Sequence, residues 1–569
     1  MNMKKVFSIL LALMACATLE ARQVQFFAGQ SERRLNGLFP ILGGELSNSA
    51  ATCIDDIDAV MPRMRQLGLN TVLVPAYWEF IEPIEGQFDF TLTDRVIDKA
   101  RENDLKVIFL WFGAWKNSMS CYAPLWFKTD TKRFPRAMTK AGKPMEIASC
   151  FSEKVLEADN KAFGSFMRHL AEKDKGTGTV VMMQIENEIG MLEAARDHSP
   201  LAEKAYQSQI PRILWKTLGI QQPSTWQEHF GDDLYGEEKF MAYHYAKYVE
   251  QLAQTARSIY DMPLYVNAAM NSRGRLPGQY PSAGPLAHLI DFWHAGAPSI
   301  DLLAPDIYDT GFKGWAEQYA LPNNPLFIPE SRCCVNSGVR AMYAFGEHQA
   351  LGFSPFAIDQ AAPEETESVT RAYGLIRQCS MLNAQSSKPN AQSSKPNAQS
   401  SKPNAQSSKP KASWGLLFDQ QDKERIINDG QTVITCRHFF TLPWDPRATD
   451  GSEWPEGGAM LLKLATNEYL LAGSGIVVSF ATAYEKAFEE EKVLGEDGFV
   501  VEGKKELTVD KKRFSGKRLG IASVDEVSVD SLGRLNYIRR ENGDQDHQGR
   551  HARISCGEWK ILHIKLYEY

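Results

Sequence analysis

The sequence predicts an α/β fold, a (β/α)8 TIM barrel followed by a smaller antiparallel β-sandwich domain, and three observations carry that expectation. From about residue 37 to residue 378, short apolar runs alternate with stretches whose apolar residues recur at helical spacing, the order of parallel strands joined by crossover helices. Eight such runs can be counted, and their near-continuous apolar character fits strands buried on both faces. Beyond residue 411 the pattern changes to short alternating segments with tight turns, as in antiparallel sheets. An open doubly wound sheet is the structural alternative, but no GxGxxG follows the first strand.

In chain order, the first strand is ILGGE (41 to 45). Ile57, Val60, Met61, Met64 and Leu67 then mark a helix that Gly68 is placed to end, with Pro62 suggesting a kink or restart. TVLVPAYW (71 to 78), a helix opening near Thr93, KVIFLWFGAW (106 to 115), a helix around 155 to 175 and TVVMMQIENEIG (179 to 190) follow. PLYVNAAM (263 to 270), IDLLAPDIY (300 to 308), PLFIPES (325 to 331) and GFSPFAI (352 to 358) complete the eight.

Residues 383 to 410 then repeat the word NAQSSKP four times. Each copy lacks a large apolar side chain, so stacked copies bury no core, and its proline forbids a continuous coiled coil. A flexible linker that does no chemistry is expected, with a span on the order of 30 Å as a random coil. AMLLKLATNEYLLAGSGIVVSFA, turning at Asn467-Glu468, then ELTVD and the terminal WKILHIKLYEY read as strands of the sandwich. The expected division is therefore a signal peptide at 1 to 21, a catalytic barrel at 22 to 380, a linker at 381 to 411 and a β-sandwich at 412 to 569.

Two lysines and an apolar run from Val6 to Ala15, too short to span a bilayer, mark an export signal, with cleavage after Ala17 or Ala21. Leu13-Met14-Ala15-Cys16 also resembles a lipobox, so a periplasmic, extracellular or lipid-anchored location is expected, with no transmembrane span. Sixty-three Lys and Arg against 70 Asp and Glu, with no basic stripe among aromatics, disfavour a nucleic-acid partner. The nine cysteines form no CxxC pair and lie beside no spaced histidines, so structural zinc is not expected.

Active sites of β/α barrels lie where the strands end. The fourth run ends in Gln184-Ile185-Glu186-Asn187-Glu188, and PLFIPES carries Glu330, 142 residues beyond Glu188. Two carboxyl groups at one mouth are what glycosidic cleavage needs: an acid for the leaving oxygen and an ionised carboxylate on the opposite face of the sugar. A single glutamate there is as readily a metal ligand or a salt-bridge partner. Company shifts the balance. LGGELSNSA (42 to 50), YWEFIEPIEGQFDF (77 to 90), LWFGAWKNSMSCYAPLWFK (110 to 128), QIENEIG (184 to 190), AGAPSIDLLAPDIY (295 to 308) and FIPESR (327 to 332) stand in order.

Together they resemble clan A of the retaining glycoside hydrolases, and within it the family 35 β-galactosidases of the bacterial branch with a distinct C-terminal β domain. YLLAGSGIVVSF (469 to 480) and NGDQDHQGRHARI (542 to 554) resemble that branch too. The resemblance implies a retaining enzyme that removes terminal β-linked galactose from oligo- or polysaccharides without a cofactor or metal. It implies Glu188 as general acid/base, Glu330 as nucleophile, Asn187 as partner of the sugar 2-hydroxyl and Tyr308 as the phenol orienting the nucleophile. Glu45, Tyr77, Glu79, Trp115, Lys116 and Asn117 stand at other strand ends as candidates to grip galactose hydroxyls, with Trp115 equally readable as core. Glu186 is expected to support from behind, pointing away from Glu188. The competing readings are a non-catalytic carbohydrate binder on the same barrel and a hydrolase of another β-glycoside.

Overall fold

The computed structural model describes residues 35, 39–271, 274–382, 410–442, 445–486, 492–494, 500–503, 516–541 and 549–569. The export segment with its lipobox, the NAQSSKP repeat up to residue 409, ELTVD and NGDQDHQ (542 to 548) lie outside the described residues. The described chain divides into two compact units, one within 27–337 and 350–366, the other within 338–349 and 367–569.

The first unit holds a closed, all-parallel barrel. Its strands are β1 (Ile41–Glu45), β2 (Thr71–Tyr77), β3 (Lys106–Lys116), β6 (Val180–Asn187), β7 (Leu264–Ala269), β8 (Leu302–Ile307), β9 (Phe327–Ser331) and β10 (Gly352–Pro355). They coincide with the eight runs read from the sequence. β4 (Arg136–Met138) and β5 (Pro144–Ala148) form a small hairpin inserted between β3 and β6. The barrel strands are buried along nearly their whole length, which is why they lack the apolar-polar alternation of one-faced strands. At Gly43 the barrel interior is tight: a Cβ there would meet Ser354 Oγ of β10 at 2.1 Å, so the serine side chain would have to turn away.

The surrounding helices obey their end signals. Ile54–Gln66 is one helix despite Pro62, and Gly68 follows it at φ +80°. Ser152 caps Glu153–Lys173 by accepting from Val155 N–H, and Asp233 caps the 26-residue helix Leu234–Ile259 through Tyr235 and Gly236 N–H. Among the described residues no helix is long and apolar enough to cross a membrane.

The second unit contains two large antiparallel sheets and a two-stranded ribbon of β17 (Lys492–Leu494) and β18 (Val500–Gly503). One has six strands in the order β11 (Ala412–Phe418), β14 (Gly457–Ala465), β15 (Glu468–Ser474), β22 (Lys560–Glu568), β19 (Leu519–Val529) and β20 (Leu535–Arg540). The other has four, β12 (Glu424–Asp429), β13 (Thr432–His438), β16 (Ile476–Thr482) and β21 (Ala552–Ile554). Both sheets contribute to one core, including Leu416, Leu461, Leu471, Leu562, Ile434, Val478 and Ile554. Asn467 takes φ +60° at the turn between β14 and β15, where the sequence signals one. Helices Ser337–His348 and Pro363–Met381 lie largely in this unit: Arg340 pairs with Glu456, and Gln378 Oε1 accepts from Val529 N–H at 3.0 Å. The described segments on either side of the repeat sit in one compact unit.

Candidate active site

β6 ends at Asn187, β9 carries Glu330 and β8 ends just before Tyr308, so parallel register brings these residues to the same rim. One carboxyl oxygen from each of Glu188, Asp306 and Glu330 lies within 4.8 Å of the others. The expected pair is thus together, joined by an aspartate that the motif reading did not single out.

Glu330 accepts three hydrogen bonds, as an ionised carboxylate does. Asn187 Nδ2 (3.2 Å) and Asn267 Nδ2 (3.1 Å) donate to Oε1, and the Tyr308 hydroxyl donates to Oε2 at 2.8 Å. Glu188 is in a different environment. Burial first, then the charge of Glu330, push its pKa up to about 7, with Lys116 and a hydrogen bond to Asp306 opposing. Two carboxyl groups on one rim thus sit in different surroundings, three donors around Glu330 and a raised Glu188 beside it.

Asp306, 1% exposed, is pushed well above the usual carboxyl range by burial and then by Glu330, Glu188 and Glu45. Glu45, at the end of β1, is fully buried and faces Glu330, close enough for a hydrogen bond once protonated. Burial and then Glu330 raise it well above the carboxylate range, against Lys116. Lys116 Nζ donates to Asn187 Oδ1 at 2.9 Å, which leaves the Asn187 amide hydrogens to face the other way, toward Glu330.

The remaining candidates are placed unequally. Tyr77 is buried, gives its hydroxyl to Asn48 C=O at 2.7 Å, and packs on Phe80, Phe112 and Tyr122. It lines a separate cavity with Pro75, Ile81 and Val96, so its phenol is committed away from the carboxyl pair. Glu79 is half-buried 3.8 Å from Lys128, its pKa raised by burial. Asn117 is exposed at φ +51° and binds the site only through its backbone, its N–H donating to Asn187 C=O at 3.1 Å. Trp115 is core: it is fully buried edge-on against Tyr245 and Tyr248, so no face is left for a sugar.

Glu186 lies behind the rim as expected, for a different reason. Residues two apart on a regular strand share a face, so an extended β6 would aim Glu186 beside Glu188. Instead Glu186 takes φ +59° and Glu188 φ +46°. Glu186 turns inward, accepts from Trp115 N–H at 2.8 Å and faces Asp159, which itself accepts from Trp111 Nε1 and the Tyr248 hydroxyl. Left-handed backbone at a non-glycine residue costs roughly 1–3 kcal/mol and persists where the surroundings over-determine it.

Sequence reasoning missed Asn267 and Asp306. Both are single polar residues inside apolar strand runs, YVNAA and LAPDI, and that interruption was the available signal.

No curated protein matches the chain. Residues 398–553 match a family model described as a domain of unknown function, DUF5597. Similar solved structures include the β-galactosidase of the psychrophilic Marinomonas ef1 (14% identity, TM-score 0.44, covering 59% of each chain). Others are a polyextremophilic β-galactosidase of the Antarctic haloarchaeon Halorubrum lacusprofundi (15%, 0.43, 59% of this chain and 58% of that one) and a cold-adapted β-galactosidase of Rahnella sp. R3 (15%, 0.43, 60% and 57%). The chain thus spans less than two thirds of the length of each. Residues 52–236, which hold Asn187 and Glu188 but not Glu330, match the model of glycoside hydrolase family 42, described as β-galactosidase, rather than the family 35 expected from the motifs.

Proposed function

We propose that the protein is a retaining glycoside hydrolase that removes terminal β-linked galactose from oligo- or polysaccharides. The observation that carries this reading is the approach of Glu188 and Glu330 within 4.8 Å at the strand ends, each with its own hydrogen-bonding environment. Retaining enzymes hold the two carboxyl groups about 5–5.5 Å apart, whereas inverting enzymes need about 6.5–9.5 Å to admit a water.

In this mechanism Glu330 attacks the anomeric carbon while Glu188 protonates the departing glycosidic oxygen, giving a galactosyl ester on Glu330. Glu188, now ionised, takes a proton from water, which displaces Glu330 and releases galactose with its configuration retained. Tyr308 and Asn187 hold the nucleophile's oxygens, and the second Asn187 amide hydrogen meets the sugar 2-hydroxyl. Neutral Glu45 donates to another ring hydroxyl. Within clan A we place the chain nearest family 35, because the ordered motifs extend from the barrel into the C-terminal domain. The N-terminal apolar segment directs export, to the periplasm or beyond.

Incubation with 2-deoxy-2-fluoro-β-galactosyl fluoride, followed by peptide mass analysis, tests the reading. A stable adduct on the peptide containing Glu330, with hydrolysis of nitrophenyl β-galactoside, is expected. Galactose binding without adduct or turnover would instead make the protein a carbohydrate binder.

A further inference from the structure

β7 supplies neither the acid nor the nucleophile, yet its Asn267 touches both. Its Oδ1 accepts from the backbone N–H of Glu188 at 2.9 Å, while its Nδ2 donates to Asp306 Oδ2 at 2.8 Å and to Glu330 Oε1 at 3.1 Å. The orientation of the amide follows from its partners: a backbone N–H only donates, so oxygen must face Glu188, and both amide hydrogens then face carboxyl groups. The side chain is completely buried, and all three of these contacts are made by one rigid amide plane.

We infer that Asn267 is a positioning residue, which fixes the separation and orientation of Glu188 and Glu330 by clasping one through its backbone and the other through its carboxylate. The inference rests on the hydrolase reading above. It has a physical basis beyond packing. Glu188 sits at φ +46°, a conformation that needs an external partner, and Asn267 supplies the acceptor for its N–H. Glu330 has three donors, of which Asn267 is the one shared with Asp306. The other titratable groups facing this pair are Glu45 from β1, Lys116 from β3, Tyr265 from β7 and Tyr308 after β8.

The isosteric Asn267→Asp variant keeps an acceptor for Glu188 N–H but replaces the two amide donors with a further acidic group between two carboxyls. An added negative charge and a lost donor both favour the protonated forms of Glu330 and Glu188. Both limbs of the pH profile of kcat/KM on nitrophenyl β-galactoside should therefore move to higher pH, by about one pH unit. Asn267→Ala, checked by circular dichroism, should lower kcat about 100-fold with little change in KM, since geometry and not ground-state binding is lost. An active wild-type enzyme whose limbs stay in place in Asn267→Asp, or whose kcat survives Asn267→Ala, overturns the inference while leaving the hydrolase reading intact. An inactive wild-type enzyme overturns both.

Discussion

At the scale of single residues, Glu188 answers two opposed demands, and stability records the conflict. Its pKa is pushed from 4.5 in the unfolded chain up to about 7 by burial and by Glu330. Between those values the folded protein keeps a proton that the unfolded chain has released, so stability falls as pH rises through that window and stays lower above it. Glu188→Gln removes the group, and thermal melts should show the variant more stable than wild type at pH 8, by on the order of 1–3 kcal/mol, with the gap closing toward pH 5. The same pKa sets the basic limb of kcat/KM near pH 7, because the first step consumes the Glu188 proton. Turnover should separate by leaving group: Glu188→Gln should spare dinitrophenyl galactoside far more than a galactosyl disaccharide, and equal losses on both would remove the acid role. Much of this site was legible in the sequence. Glu188, Glu330, Asn187 and Tyr308 announce themselves because a strand end in a barrel is the functional rim. Asn267 and Asp306 do not, since one polar residue in an apolar run reads equally as a satisfied core group. Trp115 misleads because an aromatic at a strand end looks alike from the sequence whether it faces sugar or the barrel wall.

At the scale of elements, β6 departs from a regular strand at the position where its function begins. Its eight residues run buried from Val180, and then Glu186 and the following Glu188 take left-handed backbone on either side of Asn187. The reversal sends Glu186 against Asp159 of helix Glu153–Lys173, and the Trp111 indole of β3 and Tyr248 of helix Leu234–Ile259 close on the same aspartate. Burial followed by Asp159 lifts Glu186 well above the carboxylate range, as expected of two facing buried carboxyl groups that cannot both ionise. A folded-state proton held above the unfolded value is a contribution that weakens as pH rises. Glu186→Gln, which presents an amide donor to Asp159 and keeps an acceptor for Trp115 N–H, should make stability less sensitive to alkaline pH. Asp159→Ala should be costly at every pH, since each stranded buried donor, Trp111 Nε1 and Tyr248 OH, costs about 1–3 kcal/mol. Melting curves at pH 6 and pH 9 check both expectations. Alternation alone does not foretell this turn in β6: the sequence shows the strand and its end, while the reversal comes from partners far away in the chain.

At the scale of the whole molecule, the apolar runs and turn residues were sufficient to place eight barrel strands and the later antiparallel sheets, because burial on two faces and burial on one face leave different patterns. They did not show that helices Ser337–His348 and Pro363–Met381 belong largely with the second unit, a matter of tertiary packing: Arg340 on Glu456, Glu347 on Arg425, and Gln378 on the backbone of Val529. This placement changes what the 28-residue NAQSSKP repeat does energetically. Helix Pro363–Met381 precedes the repeat and β11 follows it, both in one unit, and a linker with no contacts of its own would enter the stability of that unit through closure entropy. Halving a flexible loop changes that term by about 0.6 kcal/mol, in favour of the shorter chain. Reducing four copies to two should therefore leave the melting midpoint nearly unmoved or slightly raised, and kcat/KM on nitrophenyl β-galactoside unchanged, because the copies contain no group that the chemistry uses. A trimmed enzyme that unfolds early or loses turnover would show that the repeat makes contacts of its own, and that its four copies are more than a closure.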